Sequence, residues 1–238
     1  MPAAIMFMEA LLSLEAEAKS LLSGTNRSYE LVLKEELLKI LEEVESVYGP
    51  RDRSYEILAP RITECYYAHP AVYPPRNVRI YLTKEAKAAR YLASYELAHE
   101  AVHVLTPASL HNGDTLLEEG LATYFCFKYM KRAYGVDYQT TGHRIYDDAL
   151  RAVSKLLAKN EFVIKELRAH QPVITKIDED LLVDVAGTDR ELAKFLCKDF
   201  WSCWDPPIPM KARATKNAQL FAMGLKSIWE QWTTEPKA

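Results

Sequence analysis

The chain has 238 residues, of which 49% are hydrophobic and 26% charged, and its formal net charge is −3. This length and composition are typical of a globular protein with a buried core rather than of a disordered chain. The acidic balance, without any run of basic residues, argues against nucleic acid as a main partner. No segment approaches the roughly 20 apolar residues that cross a bilayer, so we expect no membrane span.

The N-terminus predicts an amphipathic helix rather than a secretory signal. Residues 5–22 show apolar positions at helical spacing, but Glu9 interrupts the apolar run and no basic region precedes it. The four cysteines are irregularly spaced and include no CxxC pair, so reduced thiols are expected. These features favour a cytoplasmic location.

The rest of the chain predicts helices around a short strand-rich segment. Apolar residues at helical spacing predict further helices over 29–47, 84–105, 115–134, 143–168, 188–200 and 213–233. Between the first two of these, short apolar runs and alternation predict strands near 55–59, 62–67 and 78–82.

The most informative segment is His99-Glu100-Ala101-Val102-His103, which matches the HExxH pattern. Residues four apart lie on one face of an α-helix, so both imidazoles can direct a nitrogen at one metal ion. Glu100 lies beside the first histidine, where its carboxylate can reach a water molecule on that ion. We therefore predict His99 and His103 as zinc ligands and Glu100 as the catalytic base. The alternative is a helix whose histidines are solvated or bonded to the backbone.

A catalytic zinc site needs a third protein ligand, and the next predicted helix offers Glu118 and Glu119. Thr115 and Glu118 have the spacing of a capping box, in which the glutamate side chain folds back to the helix start. That role explains Glu118 without a metal, whereas Glu119 has no such local role. We therefore predict Glu119 as the third ligand.

Gly120 lies inside the same predicted helix, directly after the candidate ligand. Glycine in a helix interior costs roughly 1 kcal/mol relative to alanine. A close approach of this helix to the HExxH helix would offset that cost. Simple tolerance of the glycine is the alternative.

Together these residues resemble the gluzincin metallopeptidases, the clan of thermolysin and the thermolysin-like aminopeptidases. His99 to His103 matches the first motif of that clan, and the run Glu119-Gly120-Leu121-Ala122-Thr123-Tyr124 resembles the aminopeptidase form of the second. The resemblance implies that His99, His103 and Glu119 bind Zn²⁺, that Glu100 is the general base and that Thr123 lies just behind the ligands. It also implies that the strand at 78–82 is an edge strand that aligns an extended peptide.

The resemblance further implies a tyrosine or histidine that donates a hydrogen bond to the developing oxyanion. His143, at the predicted start of a helix, is the first choice, and the other candidates are Tyr134, Tyr138, Tyr146 and His170. The Gly-Ala-Met-Glu-Asn substrate motif of the aminopeptidases is absent, which leaves endopeptidase or exopeptidase action open.

The expected fold is α+β and predominantly helical, with a small antiparallel or mixed sheet packed on the HExxH helix in a zincin-like arrangement. Its expected sections are an N-terminal helical section over 1–50, a catalytic core over 51–146 and a C-terminal helical section over 147–238. The expected function is zinc-dependent hydrolysis of peptide bonds in a peptide or protein substrate by metal-activated water. A non-catalytic zinc-binding interaction module is the second hypothesis, and a helical interaction protein with a chance motif is the third.

Overall fold

The computed structural model describes residues 29–203 except 66, 88 and 108–113. Over this part of the chain it contains seven α-helices and four β-strands. In chain order they are α1 Tyr29–Tyr48, β1 Glu56–Ile57, β2 Arg61–Ile62, β3 His69–Tyr73, β4 Asn77–Leu82, α2 Arg90–His103, α3 Leu116–Tyr134, α4 Arg144–Lys159, α5 Val163–His170, α6 Glu179–Ala186 and α7 Arg190–Leu196. The predicted predominance of helix over a small sheet is confirmed, and the helices predicted over 5–22 and 213–233 lie outside the described residues.

The sheet is mixed and is organised around β4. Strands β1 and β2 pair with β4 in parallel at its two ends, and β3 pairs with it in antiparallel orientation. Val78, Ile80 and Leu82 are buried while the residues between them are half-buried, as the alternation predicts. The expectation that β4 is an edge strand is wrong, because β3 covers one of its sides and β1 and β2 pair with the other. Within the described part of the chain, β3 forms that edge of the sheet.

Strand β3 was not predicted because it contains Pro70. Proline cannot donate to a strand ladder, so it is tolerated in a strand whose N–H side faces away from the neighbouring strand. The position of β3 at the sheet edge meets this requirement.

Several predicted helix boundaries are wrong for local reasons. The helix predicted from residue 84 begins only at Arg90, because Ala89 is extended and a separate 3₁₀ turn precedes it. The helix predicted over 143–168 is divided at Asn160, whose side chain accepts the backbone N–H of Phe162 at 2.9 Å. Helix α6 was missed; Asp178 caps its first turn by accepting from the backbone N–H of Leu181.

Helix α2, which carries the HExxH residues, lies between the sheet, α1 and α3. Its residues Leu97, Ala98 and Ala101 are fully buried in the main hydrophobic core. A buried polar cluster also joins it to both neighbouring helices. Ser94 of α2 hydrogen-bonds to Glu36 of α1 and to Tyr134 of α3, the latter at 2.6 Å. The backbone of the candidate metal-binding helix is therefore held on three sides.

Glu96 fixes α2 to the end of β4. Its carboxylate accepts the backbone N–H of Thr83 at 2.9 Å and also bonds to the Thr83 hydroxyl. Only 2% of Glu96 is exposed, and burial raises the pKa of its carboxyl to about 7.

We expect Glu96 to make the metal-free protein less stable as pH rises from 5 to 8. Its pKa is higher in the folded than in the unfolded chain, so the folded state binds more protons between those two values and stability falls there. In the Glu96→Gln variant, the free energy of unfolding should fall by less over this pH range, with a difference on the order of 3 kcal/mol. Urea unfolding at several pH values measures it, and parallel curves for the two proteins would refute the assignment.

Candidate metal centre

The start of α3 is fixed in place beside the end of α2. Thr115 caps α3 by accepting the backbone N–H of Glu118 at 3.3 Å. The segment before α3 also pairs with the chain near residue 199: Phe200 N–H donates to the Asp114 carbonyl at 2.9 Å, and Leu116 N–H donates to the Lys198 carbonyl at 3.0 Å. The first turn of α3 therefore has a defined position.

Two imidazoles and one carboxylate converge between these helices. His99 Nε2 lies 3.3 Å from Glu119 Oε2, and His103 Nε2 lies 3.8 Å from Glu119 Oε1. The two rings have centroids 5.3 Å apart, as expected for residues one helical turn apart. His103 and Glu119 are 5% and 4% exposed. The structure thus brings together the three residues predicted to hold the metal.

The separations within this group suit a shared cation better than direct hydrogen bonds. A good N–H···O bond has its heavy atoms 2.7–3.2 Å apart. Ligand atoms around a tetrahedral zinc ion with bonds of roughly 2.0–2.1 Å are about 3.3 Å apart. Oε2 of Glu119 is buried and has no hydrogen-bond partner among the described residues. Two imidazole nitrogens and a carboxylate are also a donor set that zinc accepts, so these residues could hold that ion.

The surroundings shift the pKa values of the two histidines in opposite directions. Burial lowers the pKa of His99 to about 4, which keeps this imidazole in the neutral form that binds metals. Burial lowers the pKa of His103 as well, but the carboxylates of Glu119 and Glu118 more than reverse this and raise it well above its ordinary value. The acids therefore favour positive charge at His103, which either a proton or a metal cation can supply.

Glu100 lies beside His99 on α2 and is 6% exposed. Burial raises the pKa of its carboxyl to about 7, although the neighbouring histidines act in the opposite direction. A carboxyl group that titrates near neutrality can both accept and release a proton in that range. Glu100 is not a member of the group whose ligand atoms converge, which leaves its carboxylate available for proton transfer.

The Glu118 side chain lies in a position that the sequence did not reveal. Its backbone N–H completes the cap with Thr115, but its side chain does not fold back to the helix start, so the predicted capping box is wrong in this respect. Instead, Glu118 Oε2 lies 3.5 Å from His103 Nδ1, on the other side of the ring from Glu119. Glu118 is 2% exposed.

Gly120 permits a close helix contact, but not with the predicted partner. A Cβ at this position would lie 2.7 Å from the Ala149 carbonyl oxygen and 2.7 Å from Val153 Cγ2, both on α4. The expectation that Gly120 faces the HExxH helix is therefore wrong. The glycine instead allows α4 to pack tightly against α3, next to the convergent group.

This packing places Tyr146 of α4 beside the candidate metal ligands. Its ring centroid is 6.1 Å from that of His99 and 4.8 Å from that of Phe200. Burial, followed by the charges of Glu119 and Glu100, raises the pKa of the Tyr146 hydroxyl well above its ordinary value. The hydroxyl therefore keeps its proton, as a hydrogen-bond donor in the site would require.

The other predicted donors lie in different surroundings. His143 precedes the first residue of α4, and its ring is 6.4 Å from that of Tyr146. Tyr134 belongs to the polar cluster with Ser94, and Tyr138 packs edge-on against Tyr95 at 5.5 Å. His170 is the last residue of α5.

Thr123, which the resemblance places just behind the ligands, lies one turn after Glu119 on α3. It is 1% exposed, and its hydroxyl has no hydrogen-bond partner among the described residues. A buried hydroxyl without a partner carries a desolvation cost.

Comparison with models of known protein families, with curated proteins and with solved structures finds no match for this chain. The candidate function therefore rests on the chemistry of the site itself. Among the described helices, none combines the length and the apolar character that crossing a membrane requires.

Proposed function

We propose that this protein is a zinc-dependent hydrolase that cleaves peptide bonds, with a gluzincin-like site on a zincin-like core. The observation that supports it most strongly is the convergence of His99 Nε2, His103 Nε2 and the Glu119 carboxylate, with Glu100 directly beside them. A protein that only bound zinc would have no need for a buried acid at that position. The position of α2 between the sheet and α3 supports the same class.

A zinc ion bound by His99, His103 and Glu119 would supply the Lewis acidity that makes a water molecule reactive near neutral pH. Glu100 would accept a proton from that water as it attacks the amide carbonyl. The same carboxyl would then give the proton to the leaving amine. Its raised pKa and burial suit both directions of transfer.

Tyr146 is the donor that the structure favours for the developing oxyanion, because it contacts His99 and keeps its proton. His143, the donor favoured by the sequence, is its direct neighbour and stays a candidate. An extended substrate would pair with the outer edge of β3, whose backbone is unpaired on that side within the described chain.

The hydrolase proposal is tested by incubating the zinc-loaded protein with a diverse peptide library and identifying products by mass spectrometry. We expect cleavage that stops when a chelator removes the metal and returns when zinc is added. Zinc binding without cleavage of any peptide would instead support the non-catalytic interaction module. Cleavage that persists in a fully metal-free protein would refute the zinc mechanism.

Two single substitutions distinguish the candidate donors. We expect Tyr146→Phe to lower kcat about 10²-fold with little change in KM, because a donor to the oxyanion acts mainly in the transition state. His143→Gln should stay close to the unmodified protein. The opposite pattern in steady-state kinetics would assign the role to His143.

A further inference from the structure

The second nitrogen of His103 faces an acid that the proposed mechanism does not use. Glu118 Oε2 lies 3.5 Å from His103 Nδ1, while His103 Nε2 faces Glu119. Among the described residues, neither His103 Nδ1 nor Glu118 Oε1 has a hydrogen-bond partner. A buried glutamate with an unsatisfied oxygen is costly to maintain, so its placement against the imidazole calls for a compensating role.

An imidazole that binds a metal through Nε2 must carry its proton on Nδ1. An acceptor at Nδ1 fixes this tautomer, orients the ring and makes Nε2 a stronger donor to the metal. Glu118 and Glu119 are adjacent in the first turn of α3, yet they approach the two nitrogens of one ring from different sides. The same helix turn can thus supply a ligand and orient another ligand.

A second cation site is the alternative, because the ligand atoms of His103, Asp114 and Glu118 also converge. However, Asp114 Oδ2 already accepts the indole N–H of Trp201 at 2.9 Å. A cation on Nδ1 of His103 would also have to displace the proton that zinc binding through Nε2 leaves there. The geometry therefore favours a hydrogen bond from His103 to Glu118 over a second cation.

We propose that Glu118 is a positioning residue that accepts the Nδ1–H of His103 and so holds Nε2 toward the zinc ion. This inference rests on the zinc site of the proposed function. It assigns Glu118 an effect on metal affinity, without any direct part in proton transfer.

The test is a series of substitutions that removes first the charge and then the acceptor. Glutamine retains an oxygen acceptor without charge, and leucine removes both. Zinc affinity, measured by competition with a chromogenic chelator, should fall about tenfold in Glu118→Gln and about 100-fold in Glu118→Leu. Histidine ¹⁵N NMR of the zinc-loaded protein should show that Nδ1 of His103 is protonated and that this proton exchanges slowly with water. In the leucine variant the same proton should exchange rapidly.

The outcomes separate this role from the alternatives. In the absence of zinc, the melting temperature of Glu118→Gln should lie within a few degrees of that of the unmodified protein. A large drop in melting temperature with unchanged zinc affinity would mean a purely structural role and refute the proposal. A second bound zinc that Glu118→Gln and Asp114→Asn each remove would establish a cation site instead. If the unmodified protein binds no zinc, the metal site itself fails. If every Glu118 variant binds zinc as tightly as the unmodified protein, the positioning role is refuted, but the metal site is not.

Discussion

We expect the Glu100→Gln variant to lose peptide hydrolysis while it keeps its zinc. Glutamine matches glutamate in size but cannot accept a proton from water, and general base catalysis typically contributes 10²–10⁴-fold to a rate. Glu100 is not among the three residues whose ligand atoms converge, so metal binding should persist. Activity on a cleaved library peptide and zinc content by mass spectrometry measure the two effects on one sample.

The chain provides a matched control for this substitution. Glu96 is also a buried glutamate of α2 with a pKa of about 7, but its carboxylate is bonded to Thr83 at the end of β4. Glu96→Gln should therefore retain activity. If Glu100→Gln hydrolyses peptides at the unmodified rate, Glu100 is not the base. Equal losses in both variants would indicate a general effect of altering α2.

The Gly120→Ala variant should be less stable and less active, although alanine is the better helix former. The added methyl group would lie 2.7 Å from the Ala149 carbonyl oxygen, a backbone atom that can move only if α4 moves. We expect a net loss of about 2 kcal/mol in the free energy of unfolding, after the gain of roughly 1 kcal/mol in helix propensity. Tyr146 lies one turn before Ala149 on α4, so a shift of α4 should also displace Tyr146. This displacement should lower kcat about 10²-fold.

Urea unfolding and steady-state kinetics measure these two losses. Adding Val153→Ala to Gly120→Ala removes one of the two short contacts and should restore part of the stability, while the backbone contact persists. Val153→Ala alone is the matched control. A Gly120→Ala protein that is more stable than the unmodified chain would show that the glycine is only tolerated and that α3 and α4 can separate without cost.

The sequence could predict those parts of the site that depend on neighbours along one helix. His99 and His103 are separated by one turn, so their shared face follows from helix geometry alone. Glu119 was preferred over Glu118 on the spacing of a capping box; the structure brings Glu119 to the two histidines, although the Glu118 side chain does not make the capping contact. The alternation in β4 likewise reflects a single strand with one buried face.

The features that were missed depend on how separate elements pack. The direction of the Glu118 side chain depends on the rotation of α3 against α2, and the partner of Gly120 depends on which helix crosses α3. Tyr146 is 47 residues beyond His99 in the sequence, so only the packing of α4 shows that the two are in contact. The break at Asn160 arises from a single side chain that competes with the helix for a backbone N–H.

Crystals grown or soaked with zinc and measured at the zinc absorption edge would test the central claim most directly. An anomalous peak is predicted between α2 and α3, within bonding distance of His99 Nε2, His103 Nε2 and an oxygen of Glu119, with Glu100 near it but not bonded. A zinc-saturated crystal with no peak at this position, or with an ion held by other residues, would contradict it.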